Sequence, residues 1–424
     1  MEGRVWRRVR IACGALVSAF GIALLVWLKC STVVLTSGGV YDSILLPIGS
    51  GAIRWRADQA TIAAEPRLGD LHGPVVARLA DGRHAVSWFC HDRVTRDTTA
   101  ADSTSIRCNE RTTHWGWRAP AAVPLAVHPA VDRVAAVSDL EGDTTYFGTW
   151  GRTLGVLDSA GHWAYGTGHV VIVGDITDRG RWVYPLLWTL YRLDGEATAA
   201  GGALHVVLGN HEQYDLVGIT KDVETEHHFA MRQIGAYHTL LDTTTVLGQW
   251  LRTRPVALQL GRTLFVHGGV SPDIVAAQLT VDSLNRRSRD FLFGRSGIGR
   301  SRDEQLGRQS VTQYRGFAMT LDDQPLADSA HVGRALAQFN VDRIVIGHTE
   351  VDSISPLHGG RVIDINATLF APQALVLDRD IPRIVSLAAA RRAWAEPAPV
   401  QRRFQLLNVY DWRALLGVFS KVSG

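Results

Sequence analysis

Five short, mostly β-branched apolar runs each stop directly at a cluster of polar residues and glycines, and this repeated junction constrains the fold more than any other feature of the chain. The runs are residues 134–137, 170–173, 204–208, 264–266 and 344–346. The clusters that follow them are Ser138-Asp139-Leu140-Glu141-Gly142, Gly174-Asp175-Ile176-Thr177-Asp178-Arg179-Gly180, Gly209-Asn210-His211-Glu212, His267-Gly268-Gly269 and Gly347-His348-Thr349. Uninterrupted apolar runs of this length suit strands buried on both faces. Val183, Leu186, Leu187 and Leu190 recur at helical spacing between two of the runs, with Pro185 tolerable only near the helix start. Strands alternating with helices predict an α/β sheet, and polar residues just past strand ends are where such sheets place their ligands.

In chain order the clusters supply Asp139, Glu141, Asp175, Asn210, His267 and His348. Oxygen and nitrogen donors in this mixture suit two divalent cations of a hydrolytic site. An apolar content of 46% and a charged fraction of 20% over 424 residues fit a folded protein. The net charge of +3 is dispersed, without a basic block or an aromatic-basic stripe, so nucleic acid is not expected as a partner.

Gly-Asp-x-x-Asp-Arg-Gly at 174–180, Gly-Asn-His-Glu at 209–212 and His-Gly-Gly at 267–269 resemble the calcineurin-like metallophosphoesterase superfamily, in its phosphoprotein-phosphatase branch. Tyr314-Arg315-Gly316 followed by Gly347-His348-Thr349 is similar to the bacterial Shewanella-like phosphatases within that branch. The resemblance covers roughly residues 131–385. It implies a four-layer αββα sandwich and hydrolysis of phosphomonoesters, with phospho-Ser/Thr or phospho-Tyr in proteins as the substrate class. Small-molecule or lipid-linked phosphates are the rival substrates.

By motif position, Asp175 is expected to bridge the two ions, Asp139 and Glu141 to complete the first, and Asn210, His267 and His348 to hold the second. His211 is the expected general acid, oriented by Asp178, and Arg179 and Arg315, together with Asn210, bind phosphate. Glu141 departs from the family pattern, which usually places an imidazole there. A carboxylate makes the site harder and more negative, favouring Mn²⁺ or Fe over Zn²⁺. Glu141 instead contacting a metal-bound water, or a weakly held first ion, are the alternatives, and Glu350 is a further candidate ligand. The departure is also the one feature that speaks for a non-catalytic, membrane-tethered binding protein.

Ahead of this region, Arg4, Arg7, Arg8 and Arg10 precede the uncharged stretch Ile11–Leu28, about eighteen residues and close to the length that spans a bilayer. Only Lys29 follows, so the positive-inside bias places the N-terminus in the cytoplasm and the catalytic part outside. Leu28-Lys29-Cys30-Ser31-Thr32 is a poor cleavage site, which favours an uncleaved anchor, and Lys29 fits lipid modification of Cys30 poorly. The expected divisions are 1–30 (basic end and anchor), 31–130 (β-rich extension), 131–385 (catalytic domain) and 386–424 (tail, ending in a short helix docked on the domain).

Within the extension, 75–79 and 84–89 around Asp81-Gly82 predict a hairpin. Trp88, Trp115 and Trp117 are expected in core or inter-domain packing, with the lining of a binding groove as the alternative. Cys90 and Cys108 are the one cysteine pair clear of the apolar segment, with 17 residues between them, and a disulfide suits an oxidising compartment. Two separate thiols are the alternative. His227 and His228, in the polar stretch 221–232, are expected to be solvated, and residues 285–302 to form either a mobile basic cap over the site or a solvated loop.

Overall fold

All five apolar runs are strands, Arg133–Val137, His169–Val173, Ala203–Val207, Thr263–Val266 and Arg343–Ile346. This is seen in a computed structural model that describes residues 2–36, 40–56, 70–91, 93–120, 122–295, 298–367, 372–387 and 400–420. The first three strands lie parallel in a five-stranded sheet completed by the antiparallel Gln373–Asp378 and Ile381–Ser386. The other two are parallel neighbours in a six-stranded sheet with Ser355–Leu357, Val362–Asp364, Ala257–Leu260 and Val127–His128.

Side chains alternate between the faces of a strand, so a run that is apolar throughout needs cover on both sides. Val134, Ala136, Val171, Val173 and Val207 of one sheet meet Leu258, Leu260, Phe265, Val345 and Ile363 of the other in a shared core. The intervening Ala135, Val137, Val170 and Ile172 pack instead with Leu186, Leu187 and Leu190 of the helix Val183–Ala199. Leu264, Val266, Ile344 and Ile346 likewise join Val332, Ala335 and Phe339 of the helix Ser329–Phe339. Pro185 is the third residue of its helix, where no intrahelical N–H bond is lost.

The extension adds a three-stranded sheet (His72–Arg78, His84–Cys90, Arg93–Thr99) and a hairpin (Ser103–Cys108 with Arg111–Gly116). It is fastened to the helix Val183–Ala199: Trp188 Nε1 donates to Pro74 O at 2.9 Å, and the Trp115 and Trp117 rings lie 5.9 and 6.5 Å from that of Trp188. Cys90 and Cys108 form a disulfide with Cα atoms 6.1 Å apart, which ties the two small sheets together across 18 residues. Closing a loop of that length removes conformational entropy from the unfolded chain. Replacing both cysteines by serine is therefore expected to lower stability by about 3 kcal/mol, read as a fall in thermal midpoint, while the strands of the catalytic sheets stay intact by circular dichroism.

Two expectations are corrected here. His227 and His228 are buried in the helix Thr225–Ile234, because the extension covers that polar stretch. His72 Nδ1 sits 3.4 Å from His227 Nδ1, Phe229 meets Phe89 edge to face, and Glu226 pairs with Arg181. Burial, helped by Arg181, pushes His72 down to about 3, and burial likewise holds His227 far below the ordinary histidine range, so both rings stay neutral. Nor is 285–302 a solvated loop: most of it lies in the helices Val281–Leu292 and Ile298–Leu306, with residues 296 and 297 outside the described set. Asn285 is buried, accepting from the Val256 and Ala257 N–H groups at 2.8 and 3.0 Å and donating to Ala257 O at 2.8 Å.

The two ends of the chain meet. Strand Thr32–Leu35 pairs with Val400–Arg403 on one side and Tyr41–Ile48 on the other, and Gly51–Arg56 completes a four-stranded sheet. Leu28, Val33, Leu35, Ile44 and Leu46 share its core with Phe404, Ala414 and Leu415 of the tail. Asp411, fully buried, takes a bidentate pair from Arg402 at 2.6 and 2.8 Å and the Tyr41 hydroxyl at 2.6 Å. The tail helix Val409–Ser420 therefore docks on the N-terminal sheet. The helix Glu2–Cys30 contains an 18-residue segment, Cys13–Cys30, of mean hydropathy 1.9, long and apolar enough to cross a membrane by length and composition.

Candidate metal centre

The strand ends converge on a cleft of about 340 Å³ lined by Asp139, Asp175, Arg179, Arg315, His348 and Glu350, with Ala318, Met319 and Val351 as its apolar wall. A larger groove, of about 1840 Å³, runs between the extension hairpin and the helix Val183–Ala199, but none of the expected catalytic residues lines it. The chemistry belongs to the smaller cleft.

Backbone geometry marks the same place. Asp139, Glu141, Asp175, Asp178, Arg179 and His348 have φ of 52°, 46°, 52°, 67°, 54° and 65°, in the left-handed region that side chains rarely adopt. Each such residue costs about 1–3 kcal/mol, and the surrounding structure must impose it. Two glycines are needed for close approach. A Cβ on Gly347 would stand 2.7 Å from Asp139 Oδ2, and one on Gly209 would stand 3.0 Å from the Asp175 carboxyl carbon.

Glu212 is what holds the central turn, and the sequence reading gave it no role. Its buried carboxylate accepts from the N–H groups of Asp175, Ile176, Thr177 and Gly209 at 2.9, 2.7, 2.9 and 2.8 Å. Four main-chain donors converge on one anion, so two adjacent loops are fixed by a single side chain. The available signal was its place three residues after Gly209, the acidic position of a helix-start capping box.

The histidines divide by their partners. His267 Nδ1–H donates to Val173 O at 2.7 Å, which turns Nε2 toward Asp175 Oδ2 at 3.0 Å and Asn210 Oδ1 at 3.1 Å. Such a backbone bond fixes the tautomer that leaves Nε2 as the ligand atom. His348 Nε2 is buried without a hydrogen-bond partner among the described residues, and its backbone N–H donates to Asp139 Oδ2 at 3.2 Å. Ligand atoms of Asp175, His267 and His348 all lie within 4.8 Å of one another. His211 has a different neighbour, since its Nδ1 is 2.6 Å from Asp178 Oδ2.

Charge is badly balanced among these groups alone. Burial, with Asp175 and Glu141 nearby, pushes Asp139 up to about 7 despite His267. Burial acts the same way on Asp175, but His267 and His211 outweigh it and hold the carboxyl below the usual range. Burial, reinforced by His267 and Arg315, keeps His348 neutral. Crowded carboxylates beside an orphaned neutral imidazole are what a bound cation would satisfy, and the donor set fits divalent ions.

The positive groups face the same cleft. Arg315 Nη1 donates to His348 O at 2.7 Å. Arg179 Nη1 bonds Glu141 Oε1 at 2.6 Å and lies 3.9 Å from Glu350 Oε1. All the residues expected at the site are therefore brought together, with Glu141 and Glu350 on the Arg179 side.

This fold and donor arrangement define a metal-dependent phosphoric monoester hydrolase, and the chain belongs to the calcineurin-like phosphoesterase family, whose profile matches residues 132–352. It is 26% identical over 267 residues to Shewanella-like protein phosphatase 2 of Arabidopsis thaliana, covering 52% of this chain and 67% of that protein. It is 25% identical over 228 residues to Shewanella-like protein phosphatase 1 of Plasmodium berghei, covering 52% of this chain and 62% of that protein. Among solved structures, the cold-active protein-tyrosine phosphatase of a psychrophilic Shewanella sp. superposes with a TM-score of 0.68 at 26% identity, over 79% of this chain and 100% of that one.

Proposed function

We propose that the chain is a membrane-anchored protein phosphatase built on a four-layer αββα domain, with phosphotyrosine as its preferred substrate. Likeness to the Shewanella tyrosine phosphatase over that chain's whole length is the observation that carries the substrate class. The apolar wall of Ala318, Met319 and Val351 beside Arg179 and Arg315 suits an aryl phosphate. In this reading the divisions 1–30, 31–130, 131–385 and 386–424 are anchor, extension, catalytic domain and tail. The Arg-rich start lies in the cytoplasm and the catalytic domain on the other side of the membrane.

Asp139, Glu141 and Asp175 would hold one ion, and Asp175, Asn210, His267 and His348 the other. Bound there, the pair supplies charge neutralisation on phosphate and a nucleophilic hydroxide near neutral pH. The chain's own residues do the rest. Arg179 and Arg315 seat the phosphoryl oxygens in two guanidinium forks, joined by the Asn210 amide. His211, held by Asp178, gives its proton to the departing oxygen.

The test is kcat/KM on matched phosphotyrosine and phosphoserine peptides, with the metal-stripped protein reloaded with Mn²⁺, Fe²⁺, Zn²⁺ or Mg²⁺. A phosphotyrosine preference of about tenfold or more is the expected result, since even one methylene missing from an apolar pocket costs about 1–3 kcal/mol. The opposite ratio would move the assignment to Ser/Thr. Turnover of p-nitrophenyl phosphate with neither peptide accepted would leave a small-molecule phosphatase, and a folded protein inert with every metal would be a binding protein.

Glu141 yields a separate prediction. If it ligates the first ion, Glu141→His replaces a hard donor by a softer one, and the ratio of Zn²⁺- to Mn²⁺-supported activity rises. An unchanged ratio would confine Glu141 to its pair with Arg179.

A further inference from the structure

Among the described side chains, the helix Glu2–Cys30 meets the rest of the chain only through its last turns: Trp27 is half-buried and Leu28 buried, while 13–20 and 22–26 are exposed. Taking this helix as the membrane span proposed above, the structure fixes which other residues share the bilayer surface with it. Trp27 lies three residues before the helix end, about 4.5 Å along the axis, and its Nε1–H donates to Pro47 O at 2.8 Å. Thr32 pairs with Leu45, so Leu46, Pro47 and Ile48 run past the start of strand Thr32–Leu35 and alongside the helix. The hairpin tip, turning through Gly49-Ser50-Gly51, is therefore level with the span rather than above it.

The opposite edge of the sheet does the same. Thr32 pairs with Arg403, Phe404 N–H donates to Ser31 O at 3.0 Å, and the chain continues past the helix end through Leu406, whose carbonyl is held by Trp412 Nε1 at 2.7 Å. Both edges present large apolar side chains to solvent at this level. Ile48 and Ile53 are 55% and 50% exposed on one side, and Leu407 and Val409 are 101% and 55% exposed on the other. Lys29, in the last turn of the helix, is exposed, and Arg403, also exposed, donates to Cys30 O.

We infer that residues 46–53 and 405–409 form a lipid-contacting rim, in which Ile48, Ile53, Leu407 and Val409 enter the headgroup–acyl boundary on the catalytic-domain side and Lys29 and Arg403 meet lipid phosphates. The bilayer is the occupant because the rim is continuous with the exposed apolar surface of the span, and because the Trp27–Pro47 bond sets its depth. That depth is interfacial, where an indole sits well and where turn backbone can still be hydrated. Long basic side chains reach headgroups from the same level. Such a rim holds the module flat on the membrane by more than its single helix.

The test uses the full chain with Cys13→Ser and Cys30→Ser, reconstituted in phosphatidylcholine–phosphatidylglycerol vesicles. A single cysteine is introduced as Ile53→Cys, Leu407→Cys, Val17→Cys or Leu326→Cys and labelled with an environment-sensitive fluorophore. Val17 lies in the span and Leu326 is exposed on the catalytic domain. Retained p-nitrophenyl phosphate hydrolysis checks each variant's fold. The expected result is quenching at 53 and 407 by lipid carrying a nitroxide near the headgroup end of its acyl chain, loss of iodide quenching there, and iodide quenching at 326. Iodide quenching at 53 and 407 with lipid quenching at 17 would overturn the rim and leave the span standing. Iodide quenching at all four would overturn both, and protection at 53 and 407 from both quenchers would assign the surface to a protein contact instead.

Discussion

Asp175→Asn is expected to reduce kcat for p-nitrophenyl phosphate on the order of 10³-fold or more, with little change in fold. Asp175 is fixed from all sides. Its N–H is held by Glu212, Oδ1 accepts from the His211 N–H at 3.1 Å, and Oδ2 lies 3.0 Å from His267 Nε2. Asparagine keeps the shape and these contacts on one side but removes the charge shared by the whole donor cluster. Without a cation that charge is still paired, since His267 and His211 hold the carboxyl below its usual range, and removing it gives up stability. The metal-free variant should therefore melt somewhat below the metal-free parent yet keep its circular dichroism spectrum and a cooperative transition, while metal content after reloading falls. That pairing of outcomes separates lost chemistry from lost folding. A variant that kept a tenth of the parent's turnover would remove Asp175 from the centre of the site.

Why the site was largely legible lies in the locality of its signals. A buried parallel strand writes itself as a short apolar run, and the loop after it writes itself as a cluster of polar residues and glycines. The strands at 133–137, 169–173 and 343–346, and the gathering of Asp175, His267 and His348 with Asp139 lining the same cleft, were therefore readable without a structure. Long-range consequences were not. No local pattern says that Val400–Arg403 returns to pair with Thr32–Leu35, because pairing partners far apart in the chain share no periodicity.

His227 and His228 look solvated from composition. They are buried because the extension, remote in sequence, lies over them. Glu212 looked like part of a motif without a task, since counting its four N–H donors requires the folded loops. The left-handed backbone at Glu141 and Arg179 is equally silent in sequence, being imposed on residues with no preference for it.

His211→Ala is expected to have an effect that depends on the leaving group. Burial lowers the affinity of this imidazole for a proton, but Asp175 and the hydrogen bond His211 donates to Asp178 outweigh it and bring the pKa to about 9, so in the metal-free protein the ring is protonated at neutral pH. The Asp178 contact, at 2.6 Å, uses Nδ1 and leaves Nε2 to donate. A general acid contributes about 10²- to 10⁴-fold where the departing oxygen is strongly basic. For a serine or threonine alkoxide the loss should approach that range. For p-nitrophenolate, which departs without help, it should be much smaller.

Across a series of aryl phosphates, the variant should then show a steeper dependence of log kcat on leaving-group pKa than the parent. Asp178→Asn should move in the same direction by a smaller amount, because it weakens the proton's hold and the ring's orientation without removing the ring. Uniform losses across the series would assign His211 to binding or to structure, since only a group that transfers a proton in the transition state responds to how much the leaving oxygen needs one.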